Sequence, residues 1–211
     1  MRNPNLRTRI LILLLLVLSY CVLTWLAISG RIAAFESGVY SALSQFITPA
    51  VISVMIFVTN MGSSVVIIAV TSVLLALPFT RKAFGVPAAA NTVVSAALTA
   101  ILKMIVARDR PDILRLVVES GFGFPSGHAL NSTALCTMIL LIVFRLTKSK
   151  KFRIPVLVVS IALPILIGIS RVYLGVHNAG DVLAGWIMGV AVALFVDTIF
   201  QHLYDRRKTC E

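Results

Sequence analysis

Charged side chains are scarce in this 211-residue chain. Only 13% of residues are Asp, Glu, Lys or Arg, and 59% are apolar. Soluble domains carry about 25% charged residues, and the mean hydropathy of +0.99 places the chain among integral membrane proteins instead. Acidic groups are the rarest, eight against nineteen basic ones, for a net charge of +11. A nucleic-acid partner is not implied, because the basic residues lie in short clusters between apolar runs rather than along one polar face. Contact with membrane lipids fits better. The three cysteines, Cys21, Cys136 and Cys210, are far apart, without metal-ligand or redox spacing, and read as incidental. Three histidines, no H-E-x-x-H and no carboxylate cluster leave no recognisable metal motif, so neither a metal nor another cofactor is expected. There is no repeat, no low-complexity tract and no soluble domain, and nothing points to an obligate protein partner.

Six apolar segments approach the roughly 20 residues that a helix needs to cross a bilayer. They lie at about 10–29, 49–78, 86–106, 127–146, 154–170 and 180–203. The fold class expected is an all-α integral membrane protein, residues 1–211 forming one domain of six bundled transmembrane helices. The second segment is over-long and holds Pro49, Asn60 and Gly62, which predicts a kinked or broken helix. Residues 31–47 are amphipathic and too polar to cross, which predicts an interfacial helix after the first span. Arg2, Arg7 and Arg9 precede the first apolar run, but that run is longer than a signal-peptide core and no A-x-A site follows it, so it reads as a retained anchor. With the N-terminus inside, 13 of the 19 Lys and Arg residues fall on one side. The positive-inside rule then puts both termini in the cytoplasm and the loops after the third and fifth spans outside, in a multi-pass protein of the cell membrane.

Three charged segments converge on that outer side, all at span ends. They are Lys103 to Pro111 (KMIVARDRP), Pro125-Ser126-Gly127-His128, and Ser170-Arg171 followed by His177 and Asp181. Together K-x6-R-P, P-S-G-H and S-R-x5-H-x3-D resemble the three signature motifs of the type 2 phosphatidic acid phosphatase family. At about 5% usage per position, eleven fixed residues in this order arise by chance roughly once in 10⁸ sequences of this length. The motifs cover residues 103–181, and the six-span architecture extends the likeness to most of the chain.

The chemistry that the residues permit agrees with that resemblance. A phosphate monoester carries nearly two negative charges and needs fixed cations and donors to hold it. Lys103, Arg110 and Arg171 supply the cations, with Arg donating in a planar fork and Lys acting as a point charge. Ser126 and Gly127 stand where the fourth span begins, so free N–H groups and the positive helix end can face the anion. His177 and Asp181, four apart, share a helix face, so the carboxylate can hold one ring nitrogen and leave the other as a nucleophile. His128 is placed to protonate the leaving alkoxide and then activate water. The resemblance implies these same roles, by way of a phosphohistidine, with Pro111, Pro125 and Ser170 supporting the site.

Other charged residues have ordinary explanations. Arg108 and Arg115 read as snorkelling anchors, and His202 as a structural hydrogen-bonder. Asp197 reads as paired with Arg206 or Arg207, or exposed at the interface, and Asp109, Asp112 and Glu119 as setting loop conformation or orienting the cations. An intramembrane serine protease fits poorly, because Phe124 stands where G-x-S-G wants glycine. An anion transporter would carry paired broken helices and midplane charges. Phosphoryl transfer to another alcohol keeps the same site. The resemblance implies a lipid phosphate as substrate, with phosphatidylglycerophosphate, phosphatidic acid and undecaprenyl diphosphate as candidates. Likeness to B-type phosphatidylglycerophosphate phosphatases favours the first.

Overall fold

The computed structural model describes the chain from Leu6 to Thr209, with side chains as far as Leu203. Arg2 and Cys210, and the side chains of Arg206, Arg207 and Lys208, lie outside the described residues. The structure is helical: α1 (Leu6–Ile28), α2 (Ala33–Ser44), α3 (Pro49–Met61), α4 (Ser64–Ala76), α5 (Pro78–Thr80), α6 (Val86–Val106), α7 (Gly127–Leu146), α8 (Lys150–Tyr173) and α9 (Ala179–Thr209), with a π-helical turn at Arg81–Gly85 leading into α6. No strand occurs among the described residues. Five helices are long and apolar enough to span, and α3 with α4 makes a sixth, bent by 44°.

The break in that sixth span falls at Gly62 and Ser63. Pro49 sits at the first position of α3, where its missing N–H costs nothing, and Thr48 caps that helix by accepting from the Val51 N–H at 3.3 Å. Ser63 restarts the chain as the N-cap of α4. At the far end of α4 the side chains of Thr80 and Arg81 return to the carbonyls of Leu74 and Leu75, satisfying acceptors that the helix end leaves free. The 12-residue α2, expected at the interface, is about 18 Å long, too short to span, and packs against α8 and α9.

The α7–α9 pair is the centre of the bundle. In α9 56% of the spanning window is buried and in α7 44%, against 11–17% in the other three single spans. Gly185 and Gly189 explain how close the two helices come. A Cβ at Gly185 would stand 2.8 Å from the Ser126 carbonyl, and one at Gly189 would stand 2.6 Å from the Leu130 carbonyl. This is small-xxx-small packing, which draws backbones together for dispersion contact where lipid gives no hydrophobic drive. Phe124, Leu130, Ala184 and Met188 form one core cluster beside it, with Tyr20 and Ala27 of α1. Met138, Ile142, Val192 and Val196 belong to the next cluster along the pair.

At the end of the bundle where α7 finishes, Asp197 is 1% exposed. It accepts from Arg9 of α1 at 2.8 Å and from Gln201 at 2.7 Å, and also pairs with Arg145 of α7. This burial corrects the expectation of exposure at the interface, while pairing with Arg206 or Arg207 falls on side chains outside the described residues. An interior carboxylate draws the nearest cations from packed neighbours, whatever their distance in sequence. Cys21 and Cys136 are free thiols.

Candidate active site

About 30 Å away along α7, at its N-terminal end, the helices deliver the other charged cluster. Lys103 lies in the last turn of α6, which closes on left-handed Ala107 (φ 46°). The loop 107–126 then folds back over the helix ends. It is pinned by the Gly123 N–H to the Arg108 carbonyl (2.8 Å), the Leu116 N–H to the Leu174 carbonyl (3.0 Å) and the Ser126 N–H to the Asp181 carbonyl (2.9 Å). Arg110 is the centre of this loop, donating to the carbonyls of Gly121, Val176 and Ser120, each at 2.9 Å. Three carbonyls fix the plane of its guanidinium. Lys103 donates to the Phe122 carbonyl at 2.5 Å, tying α6 to the same loop.

His177 is 2% exposed. Its Nδ1 stands 3.4 Å from Asp181 Oδ2, and its Nε2 stands 3.4 Å from Arg110 Nη1. A carboxylate at Nδ1 assigns the ring proton there and leaves the Nε2 lone pair on the Arg110 side. Burial pushes the ring pKa down to about 4, against the opposing bond and charge of Asp181, so the imidazole is neutral at pH 7. Asp181 is fully buried at the start of α9. Its Oδ2 also accepts from the Asn178 N–H at 2.9 Å, the return half of a capping box. Orienting His177 and capping α9 are done by one carboxylate.

Arg171, 2% exposed, donates to Thr59 Oγ1 at 3.0 Å and to Glu119 Oε1 at 2.5 Å. Glu119 Oε2 lies 3.6 Å from Arg110, so one carboxylate bridges the two arginines. Burial alone would raise the Glu119 pKa, but the bond and charge of Arg171 outweigh it and hold the group below the usual carboxylate range. The titratable neighbours of His128, half-buried in the first turn of α7, are Arg171, Glu119, His177 and Lys103. Ser126 Oγ and Arg171 Nε are buried without a protein partner. Buried polar groups left without a partner are costly. All seven polar residues picked from the sequence (Lys103, Arg110, Ser126, His128, Arg171, His177 and Asp181) therefore meet in one place. Gly127 begins α7 against Thr99, Pro111 and Pro125 are buried, and the Ser170 hydroxyl donates to the Ile167 carbonyl at 2.6 Å. No three His, Cys, Asp or Glu groups are arranged to hold a metal among the described residues.

Two residues escaped the sequence reading. Arg108 is no snorkelling anchor. Its Nη1 donates to Asp181 Oδ1 at 2.7 Å and to Glu36 Oε1 at 2.9 Å, and its Nη2 to Glu36 Oε2 at 2.7 Å. Glu36 of α2, 6% exposed, carried a signal in the sequence, since it is the only acidic residue before Asp109. Arg115 is exposed and donates to the Pro111 carbonyl of its own loop at 3.1 Å.

These helices define a multi-pass helical membrane protein with a cluster of cationic and histidine side chains at one end of the bundle. A sequence profile of the PAP2 superfamily matches residues 84–205, and the chain belongs to that family. Phosphatidylglycerophosphatase B of Bacillus subtilis is 40% identical over 103 residues, 47% of this chain and 49% of that protein. An undecaprenyl-diphosphatase of Sulfolobus acidocaldarius is 33% identical over 142 residues, 64% of each chain. The chain thus spans about half to two thirds of the length of these relatives. The crystal structure of a transmembrane PAP2-type phosphatidylglycerolphosphate phosphatase from Bacillus subtilis superposes with a TM-score of 0.79 at 27% identity, over 90% of this chain and 96% of that one. Aquifex aeolicus LpxE shares the fold at a TM-score of 0.61 and 21% identity, over 75% and 92%.

Proposed function

We propose that residues 1–211 act as one membrane phosphatase unit that hydrolyses a phosphate monoester on a lipid headgroup, with phosphatidylglycerophosphate as substrate. The observation that carries the reading is the buried neutral His177, one nitrogen on Asp181 and the other facing Arg110. In the first step Nε2 bonds to phosphorus as the P–O bond to the lipid breaks, and His128 gives its proton to the leaving alkoxide. In the second, His128 takes a proton from water, which attacks the phosphohistidine and releases inorganic phosphate. Lys103, Arg110 and Arg171 hold the phosphoryl oxygens, joined by the unpartnered Ser126 hydroxyl and the N–H groups at the start of α7. The cations do the electrostatic work that a metal does elsewhere, so EDTA is expected to leave turnover intact; loss restored by Mg²⁺ would refute this. Lipid tails stay in the bilayer while the headgroup enters between helices.

The choice of headgroup rests on similarity, in sequence and in structure, to phosphatidylglycerophosphate phosphatase of Bacillus subtilis. Phosphate release from purified phosphatidylglycerophosphate, phosphatidic acid and undecaprenyl diphosphate in detergent tests it. Fastest release from phosphatidylglycerophosphate is expected. Preference for undecaprenyl diphosphate would overturn the substrate, and no release from any would overturn the phosphatase reading. The loop charges support a topology with both termini in the cytoplasm and the site at the outer face of the cell membrane. A C-terminal tag should therefore resist labelling from outside intact cells, and labelling there would reverse the topology.

A further inference from the structure

Arg108 binds two carboxylates from distant parts of the chain, Glu36 of α2 through both nitrogens and Asp181 of α9 through one. All three groups are largely removed from water, with side-chain exposures of 18% for Arg108, 6% for Glu36 and 0% for Asp181. The backbone is shaped for the contact. A Cβ at Gly180 would stand 2.5 Å from Glu36 Oε1, so the first turn of α9 leaves room for the Glu36 carboxylate. Both carboxylates reach the same nitrogen of Arg108, so one guanidinium lies between two acids and screens their mutual repulsion.

We propose that Arg108, seated by Glu36, is a positioning residue that keeps Asp181 charged and aimed at Nδ1 of His177. The inference rests on His177 being the nucleophile. Without Arg108, Glu36 and Asp181 share one proton, as close carboxylate pairs do. An Asp181 that carries the proton no longer accepts from Nδ1, and the Nε2 lone pair loses its orientation. The other charged groups facing the His177–Asp181 pair are Arg110 and Glu119 of the loop, Arg171 of α8, Lys103 of α6 and His128 of α7. None of these makes a hydrogen bond to an Asp181 oxygen, so none replaces Arg108.

The test is a double-mutant cycle of Arg108→Met, Glu36→Gln and the pair together, with Arg108→Lys and His177→Ala alongside. It is read as kcat and KM against pH and as melting temperature in detergent, with the lipid phosphate turned over fastest. Arg108→Met is expected to lower kcat about 10²-fold with KM nearly unchanged and to move the acid limb of kcat/KM to higher pH. Removing Glu36 from that variant takes away the competing carboxylate, so the double variant should recover about tenfold of kcat. Arg108→Lys keeps the charge and should leave the limb near its wild-type position. Glu36→Gln alone should cost no more than about tenfold. A simple staple between α2 and α9 gives another pattern: losses that follow melting temperature, an unmoved limb and a double variant no better than Arg108→Met. That pattern overturns the proposal. Should Arg108→Met not fold, a Glu36→Gln loss as deep as 10²-fold overturns it too. Activity retained by His177→Ala sinks the nucleophile reading instead, which keeps the two failures distinct.

Discussion

The two ends of α9 each bury a carboxylate, and they use it differently. Asp197 draws Arg9, Arg145 and Gln201, joining α1, α7 and α9 in one ionic cluster. Asp181 draws a single guanidinium, from Arg108, and gives its second oxygen to the Asn178 N–H and His177. Each end leaves one arginine Nε unpartnered, on Arg9 and on Arg171, so burial of charge does not separate them. The two histidines and the free Ser126 hydroxyl do. A buried ion pair is a weak sign of function; a buried carboxylate that orients a neutral imidazole toward fixed cations is a strong one.

Substitutions at the two ends should differ in kind. His177→Ala is expected to abolish lipid phosphate hydrolysis, by at least about 10⁴-fold, with folding retained; phosphate release at the wild-type rate would contradict the assignment. His128→Ala removes proton transfer and should cost about 10²–10⁴-fold in kcat, less with a substrate whose leaving group needs no proton. An equal loss with such a substrate would give His128 a different role. At the other end Asp197→Asn should leave kcat within about twofold while lowering stability by about 3–5 kcal/mol, seen as a fall in melting temperature. Lost turnover in a folded Asp197→Asn protein would erase the contrast.

A pH titration sharpens the same comparison. With a ring pKa of about 4, His177 stays neutral as pH falls through the range where an unfolded histidine, near 6.5, takes up its proton. The stability gained by keeping this ring neutral is thus complete above about 6.5 and declines as pH drops toward 4. The sequence has three histidines, which makes ring NMR tractable. A His177 resonance titrating near 4 is expected, and one titrating near 6.5 would show a solvated imidazole.

Much of this was legible from residue order. The spans at 86–106 and 127–146 fall on the helices α6 and α7, because an unbroken apolar run at span length permits little else. The broken second span followed from Gly62, and the motif residues met because all three segments end at the same side of the bundle. Arg108 was misread because snorkelling and pairing look alike in sequence: both are an arginine beside an apolar run. Its partner lies 72 residues away in α2, on a helix that meets the first turn of α9 at Gly180. Exposure of Asp197 was expected for a related reason, since Arg9 and Arg145 are distant in sequence and meet it only in the packed bundle. The Gly185–Gly189 spacing was readable as a packing motif, but only the fold reveals that α7 fills it.

The central claim is tested most directly by rapid acid-free quenching of the detergent-solubilised protein with lipid phosphate labelled at phosphorus. A label stable to alkali and lost in acid, mapping to the peptide that holds His177 and missing from His177→Ala, is the outcome predicted. A label on another residue, or steady turnover with no labelled protein at any quench time, would contradict it.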